Sequence, residues 1–261
     1  MNYNELYNMK EVVKLIEKHV YERQIDRHQG LNVLLDFLVD MFDIRHFYTK
    51  DGFTENCRLL AVREPHLFRI AMIWMDKVAT ALEHGTWIDF FGGIYEEMYQ
   101  SKGKASALGQ FFTPPPLCDT MSAIAGRCDT GRVNDCACGS GRTLLSAYAY
   151  SGYPTGVYYI ADDIDTASVK MCALNMMMHG MRGRVMRHDT LRDPVSFDYG
   201  FEINEVRYPF PTCFYSVRKT SQTTENEIVK PPFKVEKPKG ETTCKPVKKT
   251  SDKSGQLSLF D

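Results

Sequence analysis

The chain predicts an α/β fold, a parallel sheet with helical crossovers behind an N-terminal helical region. Three observations carry this. Apolar residues recur at helical spacing through the first hundred residues. From residue 131 short β-rich runs alternate with helical ones, the pattern of a parallel sheet. A Gly-rich turn, Asp135-Cys136-Ala137-Cys138-Gly139-Ser140-Gly141, joins the first such strand to the first such helix. Glycines there permit positive φ and close backbone approach to a ligand.

The elements follow in order. Val12, Val13, Leu15 and Ile16 mark a first helix, and Leu31, Leu34, Leu35, Leu38, Val39 and Phe42 a second. Leu67, Ile70, Ile73, Trp74, Val78 and Leu82 mark another, which Gly85 ends. A helix over Trp87–Tyr99 carries Phe90, Phe91, Ile94, Tyr95 and Met98. These stripes read as core. Residues 101–106 form a polar link, and Pro114-Pro115-Pro116 stiffens the entry to a helix over Leu117–Ala125. Strands are expected at Arg132–Asp135, Val157–Ala161 and Arg184–Arg187, with helices at Thr143–Tyr150 and Thr166–His179.

Beyond about residue 216 the composition changes. Residues 218–256 carry about ten Lys and Arg and almost no large apolar groups, too few to offset the entropy of ordering. The division expected is therefore a helical region over 1–100, a cofactor-binding domain over 101–216, and a disordered basic tail over 217–261.

A formal charge of −1 gives no global basic field; a local patch would still suffice for DNA. The chain shows no apolar run of membrane-spanning length and no signal-peptide pattern in Met1-Asn2-Tyr3-Asn4-Glu5. The eight Cys lack metal spacing, which argues against zinc and for reduced thiols in a cytoplasmic protein.

The chemistry concentrates at the strand ends. In an open α/β sheet, ligands bind beyond the carboxyl ends of the strands. Gly139 and Gly141 allow close approach, Asp135 is placed to bond a cationic ammonium, and Asp162 or Asp163 can take a ribose diol. Asp189 follows the third strand and can accept from an adenine amine; a solvated turn residue is an equal reading of it. With the upstream Gly109-Gln110-Phe111-Phe112-Thr113-Pro114 segment, these residues read as a site for S-adenosylmethionine. Gly-Ser-Gly spacing, rather than Gly-x-Gly-x-x-Gly, disfavours a dinucleotide.

These segments, with Asp163-Ile164-Asp165, resemble the modification subunits of type I restriction-modification systems. More broadly they resemble adenine-specific DNA methyltransferases of the gamma arrangement. Asn175, His179 and Gly180, His188-Asp189-Thr190-Leu191, and Asp89-Phe90-Phe91-Gly92-Gly93-Ile94-Tyr95-Glu96 fit the same family over residues 86–200. The resemblance implies a Rossmann-like methyltransferase core that uses S-adenosyl-L-methionine. Gln110, Phe111, Phe112, Thr113 and Pro114 would wrap the cofactor, as would Pro115. Asp135, Cys138, Gly139, Ser140, Gly141 and Arg142 would form its loop and helix start. Asp163 would take the ribose, and Asp189 the adenine.

The family's catalytic motif, Asn/Asp-Pro-Pro-aromatic after a fourth strand, holds the adenine amine and stacks on the flipped base. Here Asn204 stands near the expected place, but Glu205 and Val206 replace the prolines. Asn204, with Tyr208 or Phe210, is the catalytic candidate in this chain. Lys230-Pro231-Pro232-Phe233 has the prolines and aromatic, but a Lys cannot accept a hydrogen bond. The sheet is expected to be truncated and the motif degenerate, so methyl transfer by this chain alone is open.

The final Gln256-Leu257-Ser258-Leu259-Phe260 resembles the anchor by which bacterial polymerases and repair proteins bind the sliding clamp. Leu259 and Phe260 would fill an apolar pocket, with Leu257 beside them and Gln256 at the rim. Two readings follow. One is a DNA adenine methyltransferase-like protein, with DNA and a specificity or restriction subunit as partners. The other is a non-catalytic relative that binds cofactor and reaches DNA through the clamp. A small-molecule methyltransferase is a third, opposed by Gln110–Pro114.

Overall fold

The apolar stripes of the first hundred residues fold into helices that share their core with the sheet. The computed structural model describes residues 6–43, 52–100, 112–192, 199–205 and 214–218, all within the compact unit Met1–Val229. Helices α1 (Lys10–Arg23), α2 (Gly30–Met41), α3 (Gly52–Arg63) and α4 (Pro65–Glu83) come first. Pro65 is tolerated at the start of α4, where its missing N–H would be unpaired anyway. The fully buried Trp74 of α4 packs edge-on against Phe42 at 5.6 Å and Phe91 at 5.1 Å.

The helix expected over Trp87–Tyr99 is shorter, α5 (Phe90–Tyr95), and continues as a π-helical turn over Glu96–Gln100. Asp89 sets its start by accepting from the Gly92 amide at 2.8 Å, an N-cap. Every residue of α5 is buried. Gly92 has no room for a side chain, since a Cβ would sit 1.9 Å from Asp89 Oδ2.

The sheet has five strands in the order β1 (Thr130–Asp135), β2 (Gly156–Asp163), β3 (Gly183–Arg187), β4 (Tyr199–Ile203) and β5 (Phe214–Arg218). The first three are parallel, with Asn134 opposite Ile160 and Ala161 opposite Val185. The helix α6 (Pro115–Ala125) leads into β1, α7 (Arg142–Tyr150) joins β1 to β2, and α8 (Thr166–Met178) joins β2 to β3. These are the expected elements with ends moved by at most two residues. Asp165 caps α8 by accepting from the Ser168 amide at 2.8 Å.

The return of the chain differs from a doubly wound sheet. β4 runs antiparallel to β3, with Tyr199 opposite Arg187 and Ile203 opposite Gly183. Asn204, at φ 48°, occupies the left-handed region that Asn tolerates. Its Nδ2 donates to the carbonyls of Met177 at 3.0 Å and Met181 at 2.9 Å, closing the end of α8.

One buried polar node joins the helical region to the sheet. Asp89 is fully buried. Its Oδ1 accepts from Asn175 Nδ2 at 2.7 Å, besides the Gly92 amide; its Oδ2 accepts from Ser140 Oγ at 2.6 Å and Arg142 Nε at 2.5 Å. Arg142 Nη1 reaches Glu96 Oε1 at 2.7 Å. Burial alone would loosen the guanidinium proton, but Asp89 and Glu96 outweigh it and raise its pKa. Below the node, His179 is buried: Nδ1 donates to the Asn175 carbonyl at 2.7 Å, and Nε2 accepts from the Ile88 amide at 3.3 Å. That pattern requires a neutral ring.

Two outcomes are expected. Asp89→Ala leaves the buried Arg142 guanidinium with Glu96 as its one carboxylate and lowers unfolding free energy by about 3–5 kcal/mol, read by urea denaturation. Burial pushes the His179 pKa down to about 4. The unfolded chain then binds the extra proton between pH 6.5 and 4. This contribution is intact above pH 6.5 and is lost as pH falls, by up to about 3 kcal/mol. Urea midpoints measured from pH 7 to 4.5 check it, with His179→Gln reducing the slope.

Candidate functional site

The carboxyl ends of the parallel strands bring Asp163, the last residue of β2, and Asp189, two residues past β3, to one end of the sheet. A cleft of about 420 Å³ opens there, lined by Phe112, Gly139, Asp163, His188, Asp189 and Leu191 among others. The size suits a small molecule.

The Gly-rich loop forms its floor. Gly139 (φ 54°) and Gly141 (φ 90°) both lie in the left-handed region that favours glycine. A Cβ on Gly139 would meet the Phe112 ring at 3.1 Å. Phe112 is fixed in turn by Tyr95, 5.2 Å between ring centroids, and by the Arg142 guanidinium 5.4 Å from its centre. The loop turn is held by Asp135, which accepts from the Ala137 amide at 3.1 Å and from Thr143 Oγ1.

Asp163 ends β2 in the cleft. Its Oδ2 accepts from the Gly139 amide and its Oδ1 from the Asp165 amide, both at 2.8 Å. Burial raises its pKa, while the two amides pull it the other way. Each oxygen keeps a second lone pair for a ligand hydroxyl. Asp189 turns the chain after β3 by accepting from the Arg192 amide at 3.1 Å. Asp162, beside Asp163, meets His188 Nδ1 at 3.3 Å. Asp163, Asp165 and Asp189 make the cleft an acidic one, suited to a cation and hostile to a pyrophosphate.

The residues expected at the site divide into three groups. Phe112, Gly139, Asp163 and Asp189 line the cleft together. Cys138, Ser140, Gly141 and Arg142 belong to the same loop but turn inward. Ser140 and Arg142 bond Asp89, and Gly141 packs on Cys172. Cys138 is buried with its pKa raised, by its hydrogen bond to Cys172 and by desolvation. Thr113 sits behind Phe112, its carbonyl accepting from Arg142 at 3.3 Å, and Pro114 precedes α6. Asp135 braces the loop at its base. Gln110, Phe111, Tyr208, Phe210, Gln256, Leu257, Leu259 and Phe260 lie outside the described residues, as does the Lys230–Phe233 segment.

Asn204 requires a correction. The expectation puts it at the end of a fourth strand beside the cofactor. Because β4 is antiparallel, Asn204 follows Ile203, which sits opposite the first residue of β3. The cleft residues follow the last residue of β3, four positions or about 13 Å along the strand. Its Nδ2 is also engaged by the carbonyls of Met177, in the last turn of α8, and Met181, just beyond it. Its geometry is that of a helix-end brace.

Two cleft residues lie in segments quoted for the resemblance but were given no role there. Ile164, 61% exposed, and Leu191, 95% exposed, offer apolar surface at the rim. Ile164 directly follows Asp163, and Leu191 stands two residues after Asp189.

The sequence profile of the family described as N-6 DNA Methylase matches residues 86–241, more than half of the 261. Among solved structures, the type I restriction-modification system methyltransferase subunit from Streptococcus thermophilus is similar over 73% of this chain, with 22% identity and a TM-score of 0.36. The chain spans 41% of that subunit's length. On the strength of the profile match, which takes in the Asp89 node, the Gly-rich loop and the acidic strand ends, the chain belongs to the N-6 DNA methylase family.

Proposed function

We propose that the cleft binds S-adenosylmethionine and that the chain is the cofactor-holding part of a DNA adenine methylase. The observation that carries this is the acidic cleft floored by Gly139 and capped by Phe112, with Asp163 half-satisfied at its centre. The residues fit the cofactor's chemistry. Asp163 accepts ribose hydroxyls, the rim apolar groups Ile164 and Leu191 cover adenine, and Asp189 lies within the same cleft for its amine. The carboxylates offset the sulfonium and ammonium charge. When bound, the cofactor supplies an activated methyl group. This chain's contribution is to hold and orient it and to shield one side with Phe112.

Calorimetric titration with S-adenosylmethionine tests the reading. Binding is expected, Asp163→Ala weakens it by about a hundredfold, and Asn204→Ala leaves it unchanged while lowering stability by about 1–2 kcal/mol. Absence of binding by the folded wild-type chain would remove the proposal.

The position of Asn204 favours a second reading, in which this chain holds cofactor without completing transfer. Labelled methyl transfer to unmethylated adenine-containing DNA separates the two. Incorporation by the isolated chain supports the full enzyme; its absence alongside cofactor binding supports the second. In that second reading the terminal Gln256–Phe260 motif recruits the chain to the sliding clamp, and deletion of residues 256–261 abolishes clamp binding measured by surface plasmon resonance.

A further inference from the structure

The cleft carries more negative charge than its ribose and adenine contacts use. Its lining holds three acids, Asp163, Asp165 and Asp189, and neither Lys nor Arg. The cations nearby are engaged elsewhere. Arg142 is held by Asp89 and Glu96, and Arg187 Nε donates to the Ile164 carbonyl at 3.1 Å. Arg192 reaches Asp189 at 3.7 Å, but its side chain is 89% exposed, and so open a pair is weak. His188, the one basic side chain in the lining, has Asp162 at 3.3 Å from its Nδ1.

Asp165 differs from the other two acids. Asp163 accepts an amide on each oxygen, and Asp189 accepts from the amides of Leu191 at 3.3 Å and Arg192 at 3.1 Å. The cap that Asp165 makes to the Ser168 amide uses Oδ2 alone. Its charge is felt in the cleft. Burial is the main cause of the raised Asp163 pKa, and the Asp165 and Asp135 carboxylates add to it. Like charges crowded in this way are relieved by a cation placed among them. The amino end of α8 offsets part of the Asp165 charge and leaves the rest.

S-adenosylmethionine and its demethylated form, S-adenosylhomocysteine, differ by one methyl group and one positive charge. They share adenine, ribose and the amino-acid end, so hydrogen bonds to the ribose and apolar cover on the adenine do not tell them apart; the charge does. We infer, on the reading that the cleft holds S-adenosylmethionine, that Asp165 is a specificity-determining residue that favours the sulfonium over the neutral thioether. A round cleft of about 420 Å³ is roughly 9 Å across, so a cation within it stands inside the range of every lining acid. At about 8 Å and an effective dielectric of about 20–40, one carboxylate favours a cation by about five- to thirtyfold, and less as salt screens it. The cleft therefore retains the loaded cofactor and releases the spent one.

Calorimetric titration of the full chain with three ligands tests this: S-adenosylmethionine, S-adenosylhomocysteine and sinefungin, in which a protonated amine stands in place of the sulfonium. The wild-type chain is expected to bind both cations about tenfold or more tightly than the thioether, with the preference shrinking as salt rises from about 50 to 500 mM. Asn caps a helix as well as Asp does, so Asp165→Asn keeps the bond to the Ser168 amide and removes only the charge. It is expected to weaken both cations by about five- to tenfold and to leave the thioether within about twofold. Asp165→Ser, a second uncharged cap, repeats the measurement should the Asn variant misfold. Equal wild-type affinity for cation and thioether overturns the inference and leaves the cofactor reading standing. So does a variant that keeps the wild-type preference, or one that loses affinity for all three ligands alike, which marks a structural role. Failure of all three ligands to bind the folded wild-type chain removes the cofactor reading, and Asp165's role with it.

Discussion

The ion pair between Asp89 and Arg142 is the constraint on which the rest of this structure turns. Both groups are almost wholly removed from water. A lone charge in that position would be very costly; Asp89 is offset by Arg142, and Arg142 by Asp89 together with Glu96. Asp89 starts α5, and Arg142 starts α7 directly after the Gly-rich loop. The pair therefore fixes the position of the loop relative to the N-terminal helices. The loop's own conformation comes from Gly139 and Gly141; its location comes from Asp89. Phe112 inherits its place from the same source, because Tyr95 and Arg142 grip it from two sides.

The sheet divides the work between its two ends. Parallel strands β1 to β3 send their carboxyl ends to the cleft and bring Asp163 and Asp189 together. The antiparallel turn into β4 sends the following residues to the other end. One reversal of strand direction thus separates Asn204 from the acidic cleft, though the two are close in sequence. Asn204 still does chemistry that an Asn suits. It takes a left-handed backbone and donates twice, to the carbonyl of Met177 in the last turn of α8 and to that of Met181 after it.

Much of this was legible in the sequence, and for identifiable reasons. The alternation of Val157–Ala161 with Thr166–His179 is strong because local propensity and burial agree there. Asp163 was readable because an acid at a strand end beyond a Gly-rich loop has few other uses. The inward turn of Ser140 and Arg142 was not readable, because nothing local distinguishes a loop side chain that meets a ligand from one that meets Asp89 some fifty residues earlier. The direction of β4 was hidden likewise. A five-residue strand carries no mark of whether its partner runs with it or against it. Asn204 was misplaced for that reason alone.

The node's reach along the chain has a bearing on how the protein acquires its cleft. Asp89 meets Ser140, Arg142 and Asn175 at separations of 51, 53 and 86 residues. Contacts so distant form late, because the loop between them must be closed first. During synthesis Asp89 emerges long before Asn175, and until Ser140 and Arg142 follow, the Gly92 amide is the one partner of the node within reach. The N-terminal helices can gather around Trp74 early, but their join to the Gly-rich loop must wait for α8. Assembly of the cleft is thus coupled to the last of the crossover helices, and a chain halted before Asn175 would hold a folded helical half and no organised place for a ligand.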